Sequence, residues 1–462
     1  MDQTLLTKFI AIVGAKNAIT DASDQLPYLK EWRDMWRGST PVVLRPANTA
    51  EVSAILKLAH ETGTKIVPQS GNTGLVNGQI PQGDEVLLSL NRMTRIISVD
   101  APDNSITVEA GCILKNIQYA ADAADRLFPL SLASEGSCRI GGNLSTNAGG
   151  LNVLAYGNTR DLCLGLELVL ADGRVWNGLK SLRKDNTGYD LKDLFIGAEG
   201  TLGVITAAVM KLFPKPQRYD TAFCAVPSVD AALELLNRAR SASGNRVVTF
   251  ELLPAIGVEF AVTHMRAVNP LNTAAPWYVL FEFADSSAEA MEQCLEQAFA
   301  RDVVRDAAIA QNEAQRQSFW HMRESLSESQ KFEGGSIKHD VSVPVSKVPE
   351  FIAAAVAAVK TLMPEARPVP FGHLGDGNIH FNISQPVGMN KQAYLAQWPG
   401  VNEVVFAEVL KRGGSISAEH GIGRLKAGDM AKIKSPVELE MMRGLKQLFD
   451  PKNILNPGRV LP

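Results

Sequence analysis

The stretch Pro68-Gln69-Ser70-Gly71-Asn72-Thr73-Gly74 decides the fold, because it sets a glycine-rich loop directly after a short apolar run. That run, Lys65-Ile66-Val67-Pro68, reads as a strand. Before it, Asn48-x-x-Glu51 has the form of a capping box, with Val52, Ile55, Leu56 and Ala59 at helical spacing until Gly63. Helix, strand and anion-friendly loop thus follow one another. Strand-like runs continue at Val86–Leu90, Ile96–Val99 and Ile106–Ala110, and a helical stretch spans 113–124, so the first two hundred residues alternate α and β. A second glycine-rich stretch covers Ser134–Gly150, and Gly200 and Gly203 supply a third flexible segment. Missing Cβ atoms let backbone N–H groups converge on an anion, and a pyrophosphate fits that chemistry. Any one such loop alone reads more simply as a tight turn, two within one α/β segment shift the balance toward an anion site, and Gly200 and Gly203 could equally be bulge glycines. Neither G-x-G-x-x-G opening a helix nor G-x-x-x-x-G-K-[ST] is matched, which disfavours an NAD-type Rossmann site and a Walker-type nucleotidase.

Beyond Pro214 and Pro216 a second domain is expected. Its strands fall at Thr221–Val226, Val247–Leu253, Trp277–Phe283, Ile337–Val343 and Pro368–His373, with helical runs at Val229–Arg240 and Phe351–Leu362. The tail carries the capping box Ser435-Pro436-Val437-Glu438, a helix ending before Asp450-Pro451, and an Asn456-Pro457-Gly458 turn. The length of 462 residues bounds the chain at about three domains. The net charge of −3 shows no basic excess for nucleic acid. No apolar run approaches a membrane helix, so no membrane span is expected and a cytoplasmic protein is the default. Five dispersed cysteines, at 112, 138, 163, 224 and 294, indicate neither a disulfide framework nor an iron–sulfur cluster.

Only seven histidines occur, and three lie in two short motifs. Phe371-Gly372-His373-Leu374-Gly375-Asp376-Gly377-Asn378-Ile379-His380 places two imidazoles seven positions apart. On one straight strand they would face opposite ways, so their convergence requires a turn at Gly375–Asn378. Ser415-Ile416-Ser417-Ala418-Glu419-His420-Gly421 sets a carboxylate beside a third imidazole. Two imidazoles and a carboxylate make a three-ligand metal set with open positions. On spacing alone a metal-dependent hydrolase is as good a reading as an oxidoreductase.

Pro68–Gly74, Pro129–Gly150, Asn186–Leu194 and Gly197–Thr206 resemble the FAD-binding domain of the vanillyl-alcohol oxidase flavoproteins. His373-x6-His380 and Glu419-His420-Gly421 resemble motifs of the FAD-dependent D-2-hydroxyacid dehydrogenases of that superfamily, and the likeness covers nearly the whole chain. It implies an α+β fold with a two-subdomain FAD-binding domain over 1–214 and an α+β ferredoxin-like substrate or cap domain over 215–405. A C-terminal helical segment, 406–462, would return to the flavin. The resemblance assigns FAD to Ser70, Gly71, Asn72, Thr73, Gly74, Gly136, Gly141, Gly142, Thr146, Ile205 and Asn456. Members that attach flavin covalently often have His where this chain has Asn72, so noncovalent FAD is implied. His373, His380 and Glu419 would hold a metal, Zn²⁺ or Mn²⁺, with His420 as catalytic base and Asn382 on the substrate. Arg323, Ser327 and Lys338 match the spacing of an Arg, Thr and Lys that hold a distal carboxylate in the hydroxyglutarate enzymes, with Ser in place of Thr. From charge alone, Arg323 and Lys338 could equally be solvated surface charges. The resemblance therefore implies oxidation of a D-2-hydroxy dicarboxylate, D-2-hydroxyglutarate or D-malate, with D-lactate or glycolate as the alternative. It also implies an electron acceptor such as electron-transfer flavoprotein or a quinone, and is compatible with a homodimer.

Overall fold

The computed structural model describes residues 1–462, which divide into two compact units. The first comprises 1–150, 157–215 and 419–462; the second comprises 151–156 and 216–418. The sequence reading set its breaks after 214 and 405; here residues 406–418 pack with the second unit, and the return to the first begins at Glu419. No helix is long and apolar enough to cross a membrane.

The first unit contains a small sheet and a larger one. In the small sheet Ile66–Gln69 and Val86–Ser89 run parallel, with Ala18–Ile19 and Val43–Leu44 completing the order. Asn48 caps the helix Thr49–Thr62 by accepting the Glu51 N–H at 2.9 Å, while the Glu51 carboxylate reaches the Ala47 N–H at 2.8 Å. That helix buries Val52, Ile55, Leu56 and Ala59, the residues at apolar spacing. The larger sheet is antiparallel, in the order Ile96–Asp100, Ser105–Glu109, Val204–Lys211, Cys163–Val169, Val175–Gly178. Its central strand, Val204–Lys211, is buried along nearly all its length. The C-terminal chain docks on the small sheet, where the Asn456 N–H donates to the Ile66 carbonyl at 2.9 Å. The capping box at Ser435 forms as read and opens the helix Pro436–Phe449.

The second unit is a seven-stranded antiparallel sheet, in the order Asp306–Ile309, Tyr219–Val226, Trp277–Ala284, Val247–Pro254, Arg367–His373, Asn378–Ser384, Ser336–Ser342. Strand register fixes which side chains share a face. Phe223, Leu253, Tyr278, Leu280, Val369 and Phe371 point to one face and pack against Phe260 and Ala261 of the helix Ala255–Met265 and Phe319, Met322 and Leu326 of the helix Glu313–Ser329. Phe381 and His339 point to the other, against Phe351 and Phe406 of the helices Val348–Leu362 and Trp398–Lys411. Each such buried aromatic contributes about 1.5–3 kcal/mol relative to exposure.

Candidate functional site

In the first unit a cavity of about 450 Å³ opens at the end of the Ile66–Gln69 strand. Ser70, Gly71, Asn72, Thr73, Gly74, Gly141, Gly142, Thr146, Ile205 and Asn456 all line it, as do Glu419 and His420. Gly136 does not: it is exposed, and nothing lies within 4 Å of where its Cβ would stand. The two glycine loops play different parts. No backbone N–H from Ser70 to Leu75 donates to a backbone acceptor, whereas those of Ser137, Cys138, Gly141, Gly142 and Asn143 are spent inside the protein. Free N–H groups on consecutive loop residues are what an anion requires. At the cavity wall, the side-chain carbonyls of Asn143 and Asn456 are buried without a partner, acceptors that a ligand N–H or O–H would satisfy. These features fit a dinucleotide with an anionic centre and a polar ring.

Steric contacts explain the glycines. A Cβ on Gly71 would stand 2.7 Å from the Ser137 carbonyl oxygen, and one on Gly141 would stand 2.7 Å from the Ala110 Cβ. Gly71→Ala is therefore expected to push the two loops apart, and the purified variant should carry less than half the wild-type flavin per chain. Wild-type flavin content would show that the close approach is dispensable. Asn72 adopts φ 54°, and its amide donates to the Pro27 and Lys30 carbonyls at 3.0 Å each. Asn tolerates that left-handed conformation better than most residues.

The Glu419–Gly423 turn is held from within the first unit by Glu199, which the sequence reading missed. Its buried carboxylate accepts the Ile422 N–H at 2.7 Å and the Gly423 N–H at 2.8 Å, and its backbone carbonyl accepts from the Asn456 amide at 2.8 Å. Burial pushes the Glu199 carboxyl up, opposed by those two N–H bonds and by Lys426.

In the second unit, Arg367–His373 and Asn378–Ser384 form a hairpin whose turn brings His373 and His380 to one face, with ring centroids 5.3 Å apart. Gly377, at φ 86°, is required there, since its Cβ would lie 2.1 Å from the Val343 carbonyl. Glu251 pairs with His373 across the sheet and turns its side chain to the same face. Its Oε1 lies 2.7 Å from His373 Nδ1 and its Oε2 lies 2.6 Å from Arg323 Nε. Burial pushes the Glu251 carboxyl up, but Arg323 and His373 outweigh it and hold it at about 2. Removing one member of such a pair strands a buried charge, at a cost of about 3–5 kcal/mol. Burial raises the nearby Asp376 carboxyl to about 6, against the pull of His373.

Arg323 and Ser327 stand one turn apart on the helix Glu313–Ser329. The Arg323 guanidinium is buried over the Phe371 ring, 5.0 Å from its centroid, and its terminal nitrogens make no hydrogen bond within the chain. Lys338 Nζ donates to Ser327 Oγ at 3.0 Å, and Lys338 pairs in register with Asn382, two positions from His380. Ser327, Lys338, Asn382, His380, His373 and Arg323 therefore border one sheet face. Arg323 and Lys338 are not loose surface charges.

Residues 40–178 match the family described as FAD binding domain, and residues 215–460 the family described as FAD linked oxidases, C-terminal domain. An Arabidopsis thaliana protein named "D-2-hydroxyglutarate dehydrogenase, mitochondrial" is 38% identical over 100% of this chain and 82% of its own length. A Stutzerimonas stutzeri protein named "D-2-hydroxyglutarate dehydrogenase" is 34% identical over 99% of both chains. Among solved structures, p-cresol methylhydroxylase with substrate bound superposes with a TM-score of 0.77 at 17% identity, covering 99% of this chain and 96% of that one. These matches do not favour a flavin-free hydrolase.

Proposed function

The chain belongs to the FAD-dependent D-2-hydroxyacid dehydrogenases, an α+β flavoprotein of the vanillyl-alcohol oxidase type, and on that premise we propose that it oxidises D-2-hydroxyglutarate to 2-oxoglutarate. The observation that carries the reading is the sheet face in the second unit, where Arg323, Ser327, Lys338 and Asn382 lie beside two imidazoles. An unspent guanidinium edge and an ammonium suit a second carboxylate, which hydroxyglutarate has and lactate lacks. D-Malate, one methylene shorter, is the second substrate of this reading.

In the proposed mechanism the free N–H groups of Ser70–Leu75 bind the FAD pyrophosphate noncovalently. When bound, FAD supplies the two-electron acceptor that takes the hydride from C2 of the substrate. His373, His380 and Glu419 would hold a divalent cation, Zn²⁺ or Mn²⁺, whose Lewis acidity would stabilise negative charge on the substrate oxygen. Donor chemistry supports this: Glu251 keeps the His373 Nδ1 proton engaged, leaving Nε2 as the ligand atom. His420 takes the proton from the C2 hydroxyl, Asn382 orients the hydroxy-acid end, and Arg323, Ser327 and Lys338 hold the distal carboxylate. An external acceptor of the electron-transfer flavoprotein or quinone class would complete the turnover.

Dye-coupled turnover across D- and L-2-hydroxy acids tests the substrate assignment. D-2-Hydroxyglutarate is expected to give the highest kcat/KM; a monocarboxylate in first place contradicts the reading. Arg323→Ala should raise KM for D-2-hydroxyglutarate by about 10- to 100-fold, the loss of about 1.5–3 kcal/mol for a charged hydrogen bond, with a smaller effect on D-lactate. Equal effects on both would remove the distal clamp.

A further inference from the structure

Glu251 is the one charged residue of its strand, between Phe250 and Leu252, with its side chain 1% exposed. A buried ion pair is weak evidence of stabilisation, since well-packed apolar residues often replace one at no loss. The two oxygens have separate partners, His373 Nδ1 at 2.7 Å and Arg323 Nε at 2.6 Å. An ionised carboxylate only accepts, so both partners donate; the His373 proton sits on Nδ1, and the lone pair is on Nε2.

We propose that Glu251 is a positioning residue for two tasks at once, fixing His373 in the tautomer that can ligate a cation and aiming Arg323 at the substrate's distal carboxylate. This rests on the metal and clamp assignments of the proposed function. Metal affinity and dicarboxylate preference are thereby tied to one side chain that touches neither ligand. Glu251→Gln separates the partners. Its amide has one accepting oxygen, which the buried Arg323 cation claims. The NH₂ group then faces His373 Nδ1, which must accept, and the ring proton moves to Nε2.

The test uses the full chain loaded with FAD, dialysed against chelator and titrated with Co²⁺, whose d–d absorption reports binding. Long-range ¹⁵N–¹H NMR reads the ring tautomers before metal is added, which is tractable with seven histidines. Glu251→Gln is expected to keep its flavin, to bind Co²⁺ about 10- to 100-fold more weakly, and to carry the His373 proton on Nε2. Its ratio of kcat/KM for D-2-hydroxyglutarate over D-lactate should fall severalfold. Unchanged Co²⁺ affinity, or weaker Co²⁺ with an unchanged substrate ratio, overturns the proposal. Should Glu251→Gln load no FAD, Glu251→Asp decides: one methylene shorter, it cannot reach both partners and must show at least one loss, and wild-type values for both overturn the proposal. A wild-type protein that binds no Co²⁺ overturns the metal assignment itself. Wild-type binding with unaltered variants removes only the role of Glu251.

Discussion

Replacing His420 with Ala is expected to lower kcat by about 10²- to 10⁴-fold, the range for losing a positioned general base, while flavin content and melting temperature stay at wild-type values. His420 lines the flavin cavity, on a turn whose backbone is fixed by the Glu199 carboxylate. Those contacts belong to the backbone, so deleting the imidazole leaves them in place. The phenotype should therefore be catalytic. Stopped-flow reduction of the bound flavin isolates the step, because reoxidation does not require this base. A reduction rate within twofold of wild type would assign the proton to another group.

Stripping the metal is expected to lower the same reduction rate by at least about 10²-fold, since charge stabilisation by a cation at the reacting oxygen supplies several kcal/mol. Zn²⁺ or Mn²⁺ should restore it. Ligand substitution provides the control: His380→Ala should reduce activity to the stripped level and make added chelator irrelevant. Full activity in exhaustively chelated wild-type protein would exclude the metal from the mechanism.

Much of the fold is legible where local chemistry and burial agree. The caps at Asn48 and Ser435, the apolar period of Val52–Ala59 and the His373–His380 hairpin each follow from residues a few positions apart. The helix Glu313–Ser329 is harder to read. Its inward face mixes the apolar Phe319, Met322 and Leu326 with Arg316, Trp320, Arg323 and Ser327, which meet the sheet through Glu282, Glu251 and Lys338. Arg323 and Ser327 follow from the family spacing, but what holds Arg323 is the Glu251 carboxylate in a distant strand, and Ser327 meets Lys338 on another. Glu251 and Glu199 escaped notice for the same reason. The available signal was a lone carboxylate within apolar sequence, which must find a partner once buried. Gly136 lies in the motif yet outside the cavity, because a glycine-rich loop exposes some positions and buries others. The passage between units at Ala418 and Glu419 falls immediately before the Glu-His-Gly motif, where no Pro or composition change marks it.

The most direct measurement mixes purified, FAD-loaded protein anaerobically with one equivalent of D-2-hydroxyglutarate and follows the oxidised-flavin absorption. The account predicts full bleaching, one 2-oxoglutarate formed per flavin reduced, and no bleaching by the L enantiomer. An oxidised flavin that persists with the D enantiomer, or that D-lactate reduces faster, contradicts it.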